Sequence, residues 1–195
     1  MTKFICETKN LSKKYKDFYA LKNVNLTIPK GEIYGLVGEN GAGKTTLIRL
    51  LTGLNFKSEG EIILFGHKDN LQHERSKIGC TIEMPALYKD MTASQNLEVQ
   101  RIQRGIPNKK CITDTLELIG LSNAGKKRVA NFSLGMKQRL ALGVALLGEP
   151  EFLILDEPVN GLDPTGIIEL RELLKKLVKE REVTILISSH ILSEL

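Results

Sequence analysis

Apolar residues recur along this chain with two spacings, an alternation and a three-to-four residue repeat, and the spacing changes several times. Residues 18–28 alternate loosely and predict a strand near the start. Residues 32–37 form a short apolar run that stops at a glycine-rich loop, and residues 46–54 follow with helical character. Residues 61–65 and 77–82 predict two further short strands. The middle of the chain changes character. Residues 92–104, 112–119 and 133–147 carry helix spacing, and Thr92 with Gln95 has the sequence of a capping box at the first of these starts. Residues 152–155 are wholly apolar, as a strand covered on both faces would be. Asp163-Pro164 then opens a helix, with Asp as N-cap and Pro at the first position. Ile167, Leu170, Leu173, Leu174, Leu177 and Val178 make one apolar stripe along it. Residues 183–188 predict a last buried strand. Strand–helix alternation interrupted by a helical insert over roughly 84–150 predicts an α/β fold: a single domain over 1–195, with a mostly parallel core sheet and a helical subdomain.

The 195 residues suffice for one domain around one sizeable core, and 42% hydrophobic with 26% charged residues is a globular balance. No stretch reaches the apolar length that spans a bilayer, and residues 1–6 hold no apolar signal region. The chain is therefore expected to stay in the cytoplasm, so a membrane process would need another polypeptide for its membrane part. Cys6, Cys80 and Cys111 are odd in number and scattered without metal-ligand spacing, which favours reduced thiols. The net charge of +5 is mild. Its clusters, Lys13, Lys14 and Lys16 and then Lys126, Lys127 and Arg128, read as solvated surface, and no nucleic-acid partner is drawn from them.

Two motifs carry chemistry. Gly38-Glu39-Asn40-Gly41-Ala42-Gly43-Lys44-Thr45 matches the phosphate-loop pattern in full, after a predicted strand and before a predicted helix. Glycines let the backbone curl so that its N–H groups converge on phosphate oxygens, and the following helix points its positive end at the same anion. Lys44 would set a compact charge on the β- and γ-phosphates, and the Thr45 hydroxyl can join a magnesium shell. The second motif is the apolar run 152–155 ending in Asp156 and Glu157. Ligands of such sheets sit at the carboxyl ends of strands. Asp156 would hold magnesium through water, and Glu157 would act on the attacking water as general base or as positioning group. Taken alone, Asp-Glu-Pro also suits a solvated turn; after a phosphate loop the catalytic reading is the stronger.

With these motifs in order, the chain resembles the ATP-binding-cassette (ABC) ATPase family along nearly its whole length. The resemblance implies a P-loop NTPase cassette with antiparallel strands at its N-terminal end. Asn131-Phe132-Ser133-Leu134-Gly135-Met136-Lys137-Gln138-Arg139 is similar to the family's signature motif. Ser133 and Gly135 match, whereas Leu134 and Met136 stand where glycine and glutamine are usual. The resemblance implies that Ser133, Gly135 and Met136 meet the γ-phosphate of ATP held by a second ATP-binding subunit, two subunits enclosing two ATP molecules head to tail. Tyr15 stands where an aromatic ring stacks on adenine. Asn160-Gly161-Leu162-Asp163 resembles the loop through which the subunits communicate, although Asp163 is also explained as a helix cap. His190, after Ser189, matches the histidine that contacts the γ-phosphate. The implied ligand is ATP with Mg2+, its phosphates ringed by Asn40, Gly41, Ala42, Gly43, Lys44, Thr45 and Thr46. Family members continue beyond the histidine with further strands, so a truncated C-terminal end is expected.

One departure points to a branch. The loop that couples nucleotide to the membrane subunit normally carries glutamine, and Glu83 holds that position in Gly79-Cys80-Thr81-Ile82-Glu83-Met84-Pro85-Ala86-Leu87-Tyr88. This resembles the bacitracin- and lantibiotic-type branch, whose members protect bacteria from peptide antibiotics. An ionised glutamate only accepts hydrogen bonds and adds negative charge near magnesium, so it would bind the metal more tightly or orient water differently. The implied function is the ATPase subunit of an exporter that protects against, or expels, a peptide antibiotic, working on the inner face of the bacterial membrane through separate transmembrane permease subunits. Another ABC exporter or a nutrient importer is the alternative, because those cassettes share every catalytic motif. A soluble, non-transport ABC ATPase fits less well: no coiled-coil heptads and only one phosphate loop are present.

Overall fold

The computed structural model describes residues 3–82 and 87–190. Two sheets form the core. The first is antiparallel, with β1 (Phe4–Tyr15) between β2 (Phe18–Pro29) and β4 (Glu59–Leu64). The second is parallel, in the order β3 (Ile33–Val37), β7 (Thr184–Ser189), β6 (Phe152–Asp156) and β5 (Ile78–Thr81). Strands β6 and β7 are buried along their whole length, as parallel strands covered on both faces must be. Successive side chains then face opposite layers. Phe152, Ile154 and Leu186 join α1 (Lys44–Leu51) and the antiparallel sheet in one apolar cluster. Leu153, Leu155, Ile185 and Ile187 join the helical side in the other.

That helical side comprises α3 (Ala93–Gln103), α4 (Lys110–Leu118) and α5 (Leu134–Leu146), all between β5 and β6 in the chain, together with α6 (Pro164–Arg181). Their starts follow the caps read from sequence. The Thr92 hydroxyl accepts from Gln95 N at 3.2 Å, and the Gln95 side chain accepts from Thr92 N at 2.9 Å. Asp163 accepts from Gly166 N at 3.0 Å with Pro164 in the first turn. Such caps contribute about 1 kcal/mol each.

Three elements depart from the sequence reading. Helix α1 begins at Lys44 rather than at 46, because the phosphate loop winds directly into it. Strand β1 escaped the pattern because register shifts around Thr8–Leu11 and Lys13 break its alternation, with Asn10 and its neighbour-strand residue Asn23 both at positive φ. The short helix α2 (Leu71–Arg75) has too few residues to show a period. Cys6, Cys80 and Cys111 are free thiols, and burial pushes Cys6 up to about 12, so it is inert at neutral pH. Among the described residues, no helix is long and apolar enough to cross a membrane.

Candidate active site

The carboxyl ends of β3, β7 and β6 lie side by side in the parallel sheet, and the chemistry gathers there. From β3 the chain enters the phosphate loop, where Gly38 N donates to the Ser189 carbonyl of β7 at 3.2 Å. Glu39, Asn40, Gly41 and Ala42 are exposed, and Gly43 brings the loop back against the first sheet. A Cβ on Gly43 would stand 2.6 Å from the Ala20 carbonyl oxygen and 2.8 Å from Leu21 Cδ2, so only glycine fits. Gly43 also caps α1 without any side-chain hydrogen bond, which leaves first-turn N–H groups for an anion.

Lys44 is buried at the head of α1. Its ammonium donates to the Gly38 carbonyl at 2.6 Å and the Glu39 carbonyl at 3.1 Å, and lies 3.3 Å from Glu157 Oε1. It is thus enclosed by oxygens on the loop that phosphate oxygens would share. Thr45 and Thr46 follow in the first turn, Thr46 half-buried. The Thr45 hydroxyl donates to Asp156 Oδ2 at 2.8 Å, and the Ser188 hydroxyl donates to Asp156 Oδ1 at 2.5 Å. A hydroxyl and a carboxylate in contact form a hard oxygen set that suits Mg2+ with phosphate oxygens completing its shell. Among the described residues, no group of three acidic, histidine or cysteine side chains could hold a metal without such help.

Glu157 follows with φ 51, a left-handed conformation that costs a non-glycine residue of order 1 kcal/mol. Its N–H donates to Ser188 Oγ at 2.9 Å, which holds this turn. The carboxylate is bracketed: Oε1 faces Lys44, and Oε2 lies 2.6 Å from His190 Nδ1. Burial works to raise this carboxyl, but the His190 and Lys44 hydrogen bonds and charges outweigh it and hold it below its ordinary value of 4.5. A carboxyl lowered in the folded state stabilises the fold above its unfolded value, and the gain disappears as pH falls through the lower folded one. Acid unfolding of Glu157→Gln, followed by urea titration from pH 6 to pH 3, is therefore expected to be shallower than wild type. Parallel acid limbs would mean that the bracket contributes nothing to the fold.

The second group of expected residues lies across a cleft of about 930 Å³ whose walls include Asp156, Glu157, Ser133, Gly135, Met136 and Asp163. Ser133 caps α5, its hydroxyl accepting from Met136 N at 3.2 Å. Tyr15 stands apart at the β1–β2 turn, on the hairpin whose Ala20 and Leu21 pack on Gly43. Its hydroxyl accepts from Asn55 Nδ2 at 2.5 Å, and the Lys13 ammonium sits 4.8 Å over its ring. Glu83 lies outside the described residues. Ser188 and Asn55 were missed by the sequence reading. Ser188 could have been found only from the parallel register that sets it beside Asp156.

The ABC transporter family model matches residues 21–160. The chain is 46% identical over 194 residues to the bacitracin transport ATP-binding protein BcrA of Enterococcus faecalis, covering 98% of this chain and 63% of that protein. It therefore spans less than two thirds of that relative's length. It is 49% identical over 185 residues to the lantibiotic transport ATP-binding protein SrtF of Streptococcus pyogenes, covering 95% and 80% of the two. Among solved structures, the dimeric post-hydrolysis state of the ATP-binding cassette MJ0796 bound to ADP and Pi aligns with a TM-score of 0.81 at 28% identity, covering 97% of this chain and 89% of that one.

Proposed function

This chain belongs to the ABC transporter family, and from that premise we propose that it is the ATP-hydrolysing subunit of an exporter that protects against, or expels, a bacitracin- or lantibiotic-like peptide. The observation that carries the catalytic part is the bracket of Glu157 between Lys44 and His190, beside the Thr45–Asp156 oxygen pair and an open phosphate loop. The identities to the bacitracin and lantibiotic transport proteins support the substrate class.

In this reading Lys44 leaves Glu157 when ATP enters and pairs with the β- and γ-phosphates. Thr45 and Asp156 would hold Mg2+, which when bound neutralises charge on the phosphates, and Glu83 would stand near it. Glu157, freed from Lys44, orients a water for in-line attack on the γ-phosphorus and takes its proton as the bond to the β,γ-bridging oxygen breaks and ADP leaves, while His190 keeps the carboxylate turned inward. Tyr15 stacks on adenine. Ser133, Gly135 and Met136 of a second copy close on the γ-phosphate, with Asp163 at the junction. The helical insert, roughly 84–150, acts as the subdomain that carries this contact. Separate permease subunits supply the membrane path, and the chain works on the inner face of the membrane through them.

The test is survival of a sensitive bacterium that expresses the chain with its membrane partners, challenged with bacitracin and a panel of lantibiotics, with Glu157→Gln as control. Protection that disappears in the control is the expected result and identifies the substrate. ATP turnover without protection against any peptide would leave the ATPase reading and replace the substrate class by that of another exporter or an importer.

A further inference from the structure

Helix α5 and the loop that follows Glu157 are joined by contacts that the catalytic scheme does not use. Leu134 packs so closely on Gly161 that a Cβ there would fall 2.6 Å from its Cδ2. One turn along α5, Arg139 pairs with Glu169 of α6. Between them, Gln138 Nε2 donates to the Asn160 carbonyl at 2.6 Å. Only the NH2 end of an amide can face a carbonyl oxygen, so the orientation of Gln138 is fixed. That orientation leaves Gln138 Oε1 buried with no hydrogen-bond partner among the described residues. An unpaired buried acceptor is costly. Leucine or methionine would fill the same space without it, so packing alone does not account for the amide.

The loop offers a short path onward. Asn160 N donates back to the Glu157 carbonyl at 3.2 Å, closing one turn between the residue that Gln138 holds and the candidate base. The N-terminal end of α5, about one turn before Gln138, carries Ser133 and Gly135. We propose that Gln138 is a positioning residue for hydrolysis: it ties the anion-facing turn of α5 to the 157–160 turn, so that gripping the partner's ATP sets Glu157 in the chain that does the gripping. This rests on the reading that Ser133 and Gly135 engage the γ-phosphate held by a second copy. Each subunit's base would then be set only when that subunit has engaged its partner's nucleotide.

The test measures ATP binding and turnover by the purified chain in two variants. Gln138→Met keeps the volume and loses the amide, and Gln138→Asn keeps the amide but falls short of Asn160. Each is expected to lower kcat roughly tenfold with KM for ATP unchanged within about twofold, the size of one hydrogen bond's contribution. A relay has a further signature that a structural role lacks. Ser133→Ala should lose most of its effect on kcat in the Gln138→Met background, because the signal it interrupts is already cut. Wild-type kcat in both variants, or losses that simply multiply in the double variant, would overturn the proposal. A wild-type chain that binds ATP without turning it over would instead overturn the functional reading, and this inference with it.

Discussion

Glu157→Gln is expected to lower ATP turnover about 10²–10⁴-fold, the usual reach of a positioned acid or base, while affinity for ATP holds or rises. The two halves of this expectation come from different contacts. Turnover falls because an amide cannot take the proton of the attacking water. Affinity does not fall because the carboxylate competes for the same cation: Glu157 Oε1 lies 3.3 Å from the Lys44 ammonium, which the proposed function pairs with the phosphates. Removing that charge lets Lys44 turn to the phosphates with less to displace, and the neutral side chain also repels the γ-phosphate less. Phosphate release under saturating ATP, set beside equilibrium titration with ATP itself, separates the two. An affinity loss of tenfold or more would mean that Glu157 chiefly holds the phosphate loop in shape through Lys44. An unchanged rate would remove it from the chemistry altogether.

Much of this site was legible in the sequence because its parts are local. The phosphate loop is eight consecutive residues, the acidic pair adjoins a wholly apolar strand, and the caps at Thr92 and Asp163 are each written within four positions. What stayed hidden depends on register between distant strands. Ser188 holds both Asp156 and the Glu157 N–H, yet its partners are 31 and 32 positions away and become neighbours only because β7 pairs with β6. The order β3-β7-β6 follows from no local pattern, because β7 is the last strand in the chain yet lies between β3 and β6. Asn55 against Tyr15 and Gln138 against Asn160 are hidden for the same reason. Strand β1 failed differently: its bulges break the alternation that a strand is recognised by.

Two glycines separate fold from chemistry under the same substitution. Gly79→Ala is expected to destabilise the protein by about 2–4 kcal/mol, at the upper end for overpacking. Gly79 lies in β5, paired with Leu153, where α5 crosses closely over it. A methyl group there would run into the Ala145 carbonyl oxygen and stand 2.9 Å from the Pro150 ring. Neither neighbour can yield cheaply, since one is helix backbone and the other a ring locked to the chain entering β6. The seam between α5 and the parallel sheet must open instead, and with it the apolar cluster that includes Leu142, Ala145 and Leu153. Gly135→Ala meets only Leu162 Cδ2 at 3.4 Å, an ordinary contact, and alanine is the better helix former, so stability should hold or rise by up to about 1 kcal/mol. Its effect should fall on turnover, because the added methyl group stands at the start of α5, where the proposed function sets the partner's γ-phosphate. Urea midpoints and ATPase rates on both variants decide the matter. A stable Gly79→Ala would show that α5 sits farther from β5 than described, and a fully active Gly135→Ala would remove the α5 terminus from the nucleotide contact.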